Sequence, residues 1–205
     1  MQFFFNSLNL QKQEDLVFDV LRIIKISPFF LPKIPRWNKP FNLMISNAGD
    51  WGWISNINGY RYTREHPITK RVWPKIPNSF LILWNKFVKS PILPNSCLIN
   101  FYENSRSSLG LHQDKSENNC TVPVMTISIG NSAVLNYGHT RNKKNLRKKK
   151  LDSGAIVVMA NESRLIYHSI EGIINEENNI LHKLSPLFFP ENCRVSITLR
   201  YYSET

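Results

Sequence analysis

With 205 residues, 42% of them hydrophobic, the chain can bury one sizeable core but is too short for two comfortable domains, so the expectation is a single domain over residues 1–205; disorder is excluded, and no apolar run is long enough for a membrane span. The formal net charge of +11 points to polyanionic partners, although the abundance of Asn, Lys and Ile equally fits compositional drift on solvated faces. Cys97, Cys120 and Cys193 are odd in number without a CxxC, and Met1–Asn6 lacks a basic leader segment, which together read as a reduced, cytoplasmic protein without a zinc cluster.

In chain order, Glu14–Ile26 reads as a helix with Leu16, Val20, Ile23 and Ile24 at helical spacing and Pro28 as its stop. Four prolines between Pro28 and Pro40 make an extended connector. Strands are expected at Leu43–Ile45, Trp51–Ile54 and Tyr60–Tyr62, with Asn58-Gly59 as a hairpin turn. A second helix runs from Asn78 or Ser79 to Lys89, with Phe80, Leu83, Trp84, Phe87 and Val88 on its core face. Strands then dominate: Cys97–Tyr102, Leu109–Asp114, Val122–Ile129, Ala133–Tyr137, Ala155–Ala160, Leu165–His168 and Val195–Tyr201. Two helices followed by many short strands suggest an α+β domain with a β-sandwich or jelly-roll core.

Three constellations carry chemistry. A period of two places His112 and Asp114 on one face of Leu109–Asp114, and His168 follows downstream. Two imidazoles and one carboxylate are the facial triad of non-haem Fe(II) oxygenases, which leaves one face of the metal open; by itself His-x-Asp also reads as a polar strand edge. Arg194, Ser196, Thr198 and Arg200 alternate with apolar residues and share a face. On an inner face the two guanidiniums require an anion, and their fork suits a carboxylate; on an amphipathic edge strand they would meet solvent. Arg141–Lys150 carries seven cations (Arg141, Lys143, Lys144, Arg147, Lys148, Lys149 and Lys150). They read as a backbone-contacting rim or as a solvated basic loop.

In order, Asn100-Phe101-Tyr102, His112-Gln113-Asp114-Lys115-Ser116-Glu117, Glu162–His168 and Arg194–Arg200 resemble the AlkB family of Fe(II)- and 2-oxoglutarate-dependent dioxygenases, and Gly52-Trp53 with Gly59-Tyr60 match that family's substrate lid. The resemblance spans about residues 46–202. It implies a double-stranded β-helix core over about residues 97–202, two N-terminal helices and a lid over about residues 41–75. It implies Fe(II) on His112, Asp114 and His168, with 2-oxoglutarate and O2 as co-substrates. Arg194 is then expected to meet the carboxylate near the metal, and Arg200 the distal one with Asn100 and Tyr102. Ser196 stands where the family often has Asn.

Trp53 becomes a stacking surface for a flipped base, Tyr60 a phosphate or lid contact, and Arg141 a substrate contact, although aromatic residues near a turn also read as satellite core. Ser116 replaces an Asp that helps recognise the base in bacterial members; Glu117 is a further candidate or a solvated loop acid. Arg164 is expected to pair with acids such as Glu162, and His66, His139 and His182 to be surface or loop residues. The implied activity is direct reversal of N1-methyladenine and N3-methylcytosine, releasing formaldehyde, succinate and CO2. The expected partner is single-stranded DNA, with duplex DNA and RNA as further candidates, and the protein is expected to act as a monomer away from membranes. RNA or protein demethylation on the same scaffold, or an inert β-helix binding module, are the alternatives.

Overall fold

The computed structural model describes residues 1–176 and 178–204. Its strands are β1 (Gln2–Phe4), β2 (Met44–Gly49), β3 (Gly52–Asn56), β4 (Gly59–Thr63), β5 (Ser96–Tyr102), β6 (Leu109–His112), β7 (Val124–Gly130), β8 (Ala133–Gly138), β9 (Arg147–Leu151), β10 (Ile156–Met159), β11 (Tyr167–Ile173) and β12 (Arg194–Arg200). The α-helices among the described residues are α1 (Leu10–Ile26), α2 (Asn78–Phe87) and α3 (Ile180–Leu184). A six-stranded sheet has the order β1-β10-β7-β12-β5-β2, and a four-stranded sheet the order β6-β11-β8-β9; every named pairing is antiparallel. These are the two sheets of the expected jelly roll, with β3 and β4 forming a separate hairpin.

Strand alternation divides the work of the larger sheet. Val195, Ile197 and Leu199 of β12 join Ile99 and Phe101 of β5 and Met125, Ile127 and Ile129 of β7 in one apolar cluster, which α1 and α2 cover with Leu16, Val17, Val20, Phe80 and Trp84. The alternate residues of β12, from Arg194 to Arg200, therefore face the smaller sheet, and all seven residues of this strand are buried. Asn9 caps α1 by accepting a hydrogen bond from the Lys12 N–H at 3.0 Å, which starts the helix earlier than periodicity alone suggests. Ser79 of α2 donates to Asp19 of α1, tying the two helices together.

Several boundaries depart from the expectation. Met44–Gly49 lies inside the expected lid range but pairs along β5 as the outer strand of the large sheet. The detached part of the lid is the β3–β4 hairpin. Its loop is Ile57-Asn58, one residue earlier than read from the sequence, and Gly59 takes the positive φ of 108° that closes it. The hairpin base is fixed by Trp73, whose indole N–H donates to the Thr63 carbonyl at 2.7 Å. Gly52 makes room for that ring, because a Cβ there would lie 2.3 Å from it. Two further strands escaped the sequence pattern: β1, which pairs with β10, and β9, expected to be a basic loop but forming the edge of the smaller sheet beside β8.

Candidate metal centre and co-substrate cavity

His112 of β6 lies directly opposite His168 of β11, which brings the two ring centroids to 4.3 Å. Each ring is fixed through Nδ1. His112 donates to the Gly110 carbonyl at 2.8 Å and His168 to the Ile166 carbonyl at 3.1 Å. A carbonyl only accepts, so Nδ1 carries a proton on both rings, and it is Nε2 that faces Asp114 and is left to offer a lone pair to a metal. Asp114 lies two residues beyond the end of β6, yet its Oδ1 is 3.6 Å from His112 Nε2 and its Oδ2 4.0 Å from His168 Nε2. The three candidate ligand atoms all fall within 4.8 Å of one another.

The electrostatics suit a cation. Burial lowers the His168 imidazole to about 4, with the neighbouring His112 acting in the same direction, so it is neutral near pH 7. Burial alone would raise the Asp114 carboxyl, but Arg200 beside it outweighs that effect and holds it well below the usual carboxylate range. Asp114 Oδ2 is buried without a hydrogen-bond partner. A buried, ionised oxygen left unpaired beside two imidazole lone pairs fits a divalent metal, and two nitrogens with one carboxylate oxygen suit Fe(II).

Behind this triad, a cavity between the sheets is lined by Asn100, Tyr102, Arg194, Ser196 and Arg200 from the large sheet and by Leu109, His112, Leu135, His168 and Ile170 from the small one. The arginines occupy it in the reverse of the expected order. Arg200 sits at the triad, donating from Nη2 to Asp114 Oδ1 at 3.0 Å and from Nη1 to Glu117 Oε1 at 3.3 Å. Arg194 is the deep one. Register explains the exchange: β12 pairs Arg194 with Tyr102, Ser196 with Asn100 and Arg200 with Ser96. Asn100 and Tyr102 therefore accompany Arg194, and the Asn100 amide donates to Ser196 Oγ at 3.2 Å.

Arg194 is 1% exposed, and no acid pairs with it among the described residues. It donates to the carbonyls of Asn131 at 2.9 Å and Leu151 at 3.2 Å and to Ser128 Oγ at 2.5 Å, while its Nε finds no partner. Burial lowers this guanidinium to about 10. A desolvated cation with a donor to spare, in a cavity next to a metal triad, fits a carboxylate ligand.

Glu117 is neither a solvated loop acid nor free to meet a ligand. It is fully buried, and it accepts from the Tyr62 hydroxyl at 2.7 Å, from Arg200 and, on Oε2, from Arg164 at 3.2 Å. Glu117 is thus the acid that pairs with Arg164; Glu162, the acid expected there, is exposed. Arg164 also donates to the backbone carbonyl of Asp114 at 2.5 Å, a contact that needs the folded chain to be seen. His66 likewise departs from the surface reading: it is 1% exposed, with Nε2 bonded to the Pro28 carbonyl at 2.9 Å.

The hairpin presents its aromatics on one face. Trp53 pairs across it with Tyr62, and Ser55 with Tyr60. The Trp53 and Tyr60 rings stack at 5.6 Å; Trp53 is half-buried and Tyr60 exposed. Ser116 is half-buried between Lys115 and Glu117. On the opposite flank, β8 sets Tyr137 beside His168, and β9 sets Arg147 beside Tyr137. Arg141, Lys143, Lys144 and Arg147 therefore lie at the metal end of the small sheet, all exposed. Lys148–Lys150 run away from it. Lys148 pairs with Glu171 at 2.9 Å and Lys150 with Glu176 at 2.5 Å, while Lys149 lies over the Phe5 ring at 4.8 Å.

Comparison with known proteins points the same way. The family model of the 2OG-Fe(II) oxygenase superfamily matches residues 1–200. The chain is 32% identical to the alpha-ketoglutarate-dependent dioxygenase AlkB homolog of Caulobacter vibrioides over 94% of this chain and 83% of that one. It is also 32% identical to the alpha-ketoglutarate-dependent dioxygenase AlkB of Escherichia coli, over 77% of this chain and 74% of that one. The solved structure of OsALKBH1 superposes with a TM-score of 0.80 at 26% identity, covering 98% of this chain and 96% of that one. More distant relatives are named DNA N(6)-methyladenine demethylase in Arabidopsis thaliana and tRNA demethylase in Schizosaccharomyces pombe. A cluster of two histidines and one aspartate, an arginine-floored cavity and this degree of likeness leave one assignment: the chain belongs to the AlkB family of Fe(II)- and 2-oxoglutarate-dependent dioxygenases.

Proposed function

We propose that the protein removes methyl groups from damaged nucleic-acid bases, with N1-methyladenine and N3-methylcytosine in single-stranded DNA as the leading substrates. The observation that carries this reading is the Trp53–Tyr60 stack on a hairpin whose neighbouring residue, Tyr62, is bonded into the metal-side network. An enzyme that works on a base must take it out of the stack, and an aromatic platform beside the reactive centre receives it. Relatives named as demethylases of DNA and of tRNA support a nucleic-acid substrate.

In this reading His112, Asp114 and His168 hold Fe(II), and Arg194 with Asn100, Tyr102 and Ser196 holds the distal carboxylate of 2-oxoglutarate. With O2, that pair supplies oxidative decarboxylation to succinate and CO2 coupled to hydroxylation of the methyl carbon, and the hydroxymethylated base then releases formaldehyde. Arg200 orients Asp114 while keeping a positive charge beside the triad. Trp53 stacks the base, Tyr60 contacts the strand, and Arg141 with its neighbours Lys143, Lys144 and Arg147 meets phosphates at the rim. Ser116 leaves the base without the carboxylate found in bacterial members, which lowers the preference for cationic lesions. The enzyme works as a monomer in the cytoplasm.

The test is mass spectrometry of oligonucleotides carrying one methylated base, incubated with enzyme, Fe(II), 2-oxoglutarate and O2. Loss of 14 mass units (about one CH2, the methyl exchanged for hydrogen) from methylated DNA is the expected result. Turnover confined to RNA would move the substrate class, and turnover confined to peptides would end the nucleic-acid reading.

A further inference from the structure

We propose that Glu117 is a positioning residue that couples the aromatic hairpin to the metal centre, with Tyr62 as its contact on the hairpin side and Arg200 and Arg164 on the metal side. The inference deepens the reading of the hairpin as the substrate-facing element and rests on it for its kinetic arm.

The network is short and buried throughout. Tyr62 donates to Glu117 Oε1 at 2.7 Å; the same oxygen accepts from Arg200 Nη1 at 3.3 Å, and Arg200 Nη2 reaches Asp114 Oδ1 at 3.0 Å. The second Glu117 oxygen accepts from Arg164 Nη2 at 3.2 Å, and Arg164 Nη1 holds the Asp114 backbone carbonyl at 2.5 Å. Asp114 is thus gripped by one guanidinium on its side chain and by another on its backbone, and a single carboxylate locks both guanidiniums. Two cations face two anions, so the cluster is balanced without the hairpin. The Tyr62 hydroxyl is not needed for neutrality.

What the hydroxyl adds is mechanical. Tyr62 shares a face of β4 with Tyr60 and lies across from Trp53, so the residue that touches Glu117 is rigidly paired to the two aromatics that face the substrate. Its ring stacks on Tyr202 at 4.3 Å, and the neighbouring Ser203 N–H donates to the Glu117 carbonyl at 3.2 Å. The loop after β6, the hairpin and the C-terminal segment thereby meet at one carboxylate. Displacing the hairpin pulls on the oxygen shared by Tyr62 and Arg200 and loosens the Arg200 grip on Asp114. A hairpin seated over its substrate strengthens that grip.

Tyr62→Phe isolates this role, because it removes the hydroxyl while keeping the stack on Tyr202 and every ion pair. The first readout needs neither metal nor substrate: hydrogen exchange of the metal-free protein. Amides of residues 52–63 are expected to exchange about tenfold faster in the variant, the loss of one hydrogen bond to a charged group, while α1 and β12 keep their wild-type rates. In the loaded enzyme the KM for a methylated oligonucleotide is expected to rise about tenfold with the KM for 2-oxoglutarate unchanged. Wild-type exchange across residues 52–63 would overturn the proposal and leave Glu117 as a counter-charge alone. Fe(II) retention by the substrate-free variant is expected to weaken as the Arg200 grip on Asp114 loosens; faster hairpin exchange with wild-type Fe(II) retention would overturn the proposal too, because the hairpin would then be anchored on Glu117 without any effect at Asp114. Faster hairpin exchange with weakened Fe(II) retention, in a protein inactive on every methylated oligonucleotide, would support the coupling and reject the proposed substrate instead.

Discussion

His112→Ala, Asp114→Ala and His168→Ala are each expected to abolish turnover and iron retention, but they differ in what they do to the metal-free fold. Asp114 is one of two acids that Arg200 pairs with in a buried setting, so its removal strips a desolvated guanidinium of half its compensation. Breaking such a pair costs about 3–5 kcal/mol, with the lower end expected because Glu117 remains. The His112 ring is partly exposed, and its hydrogen bond among the described residues is to the local Gly110 carbonyl, so His112→Ala should stay within about 1 kcal/mol of the parent. Urea denaturation of the three metal-free variants checks the contrast; equal losses for Asp114→Ala and His112→Ala would mean that Arg200 does not depend on Asp114. A pH dependence follows from His168. Its folded value, about 4, lies below the unfolded value of 6.5, so between these limits the unfolded chain binds the extra proton. Stability is therefore full above about pH 6.5 and declines as pH falls toward 4, by about 3 kcal/mol in all. Asp114 does not blur this window, because its contribution is lost only as pH falls below its unfolded value of 3.8. The loss between pH 7 and pH 4.5 in metal-free protein should shrink strongly in His168→Gln, and an unchanged loss would place its origin elsewhere.

At the scale of elements, the sequence was most legible where periodicity and chemistry coincide. Arg194–Arg200 alternates strictly, and the strand, its buried polar face and its apolar outer face are all where a period of two puts them. Alternation does not say which end of a strand meets the metal, and so the two arginines exchanged roles. That order depends on the register with β5, a long-range pairing invisible in local pattern. β9 was hidden for another reason: four consecutive cations suppress any strand signal, and the segment is ordered by β8 and by acids contributed from β11 and the loops. Lysines on an edge strand also block pairing with other chains, which accounts for their position without nucleic acid. The division between cations that pair with acids among the described residues and those that do not makes a prediction. Replacing Arg141, Lys143, Lys144 and Arg147 with Gln should flatten the salt dependence of binding to single-stranded oligonucleotides, by about 0.7 in log K per log salt for each phosphate that is no longer neutralised. Lys148→Gln with Lys150→Gln should leave that slope unchanged, because both side chains already face acids. Fluorescence titrations at several salt concentrations measure the two slopes, and the reverse ranking would move the binding face onto β9.

At the scale of the whole molecule, the site belongs to neither sheet alone. The small sheet supplies His112 and His168, the large sheet supplies Arg194 and Arg200, and the loop leaving β6 supplies Asp114. The helices and the main apolar cluster lie on the far side of the large sheet; between the sheets, smaller apolar clusters with Leu98, Tyr102 and Val157 on one side and Leu135, Leu151 and Ile173 on the other surround a cavity into which the polar residues of the site reach. Metal and co-substrate together should then act as a staple across the two sheets, and their binding should appear as stability. A ligand at a hundredfold excess over its Kd stabilises by about 2.7 kcal/mol, and for a chain of this size each kcal/mol raises Tm by about 2–4 °C. Adding 2-oxoglutarate to anaerobic Fe(II)-loaded protein should therefore raise Tm by about 5–10 °C. Arg194 decides how specific that response is. Arg194→Ala removes the buried cation that no acid among the described residues meets but touches no metal ligand, so it should keep the increment due to Fe(II) and lose the increment due to 2-oxoglutarate. Arg194→Lys should recover only part of it, because a point charge cannot reproduce the planar fork. If Arg194→Ala retains the full response to 2-oxoglutarate, the deep end of the cavity does not hold the co-substrate, and the unpaired guanidinium serves only the carbonyls of Asn131 and Leu151 and the Ser128 hydroxyl that now surround it.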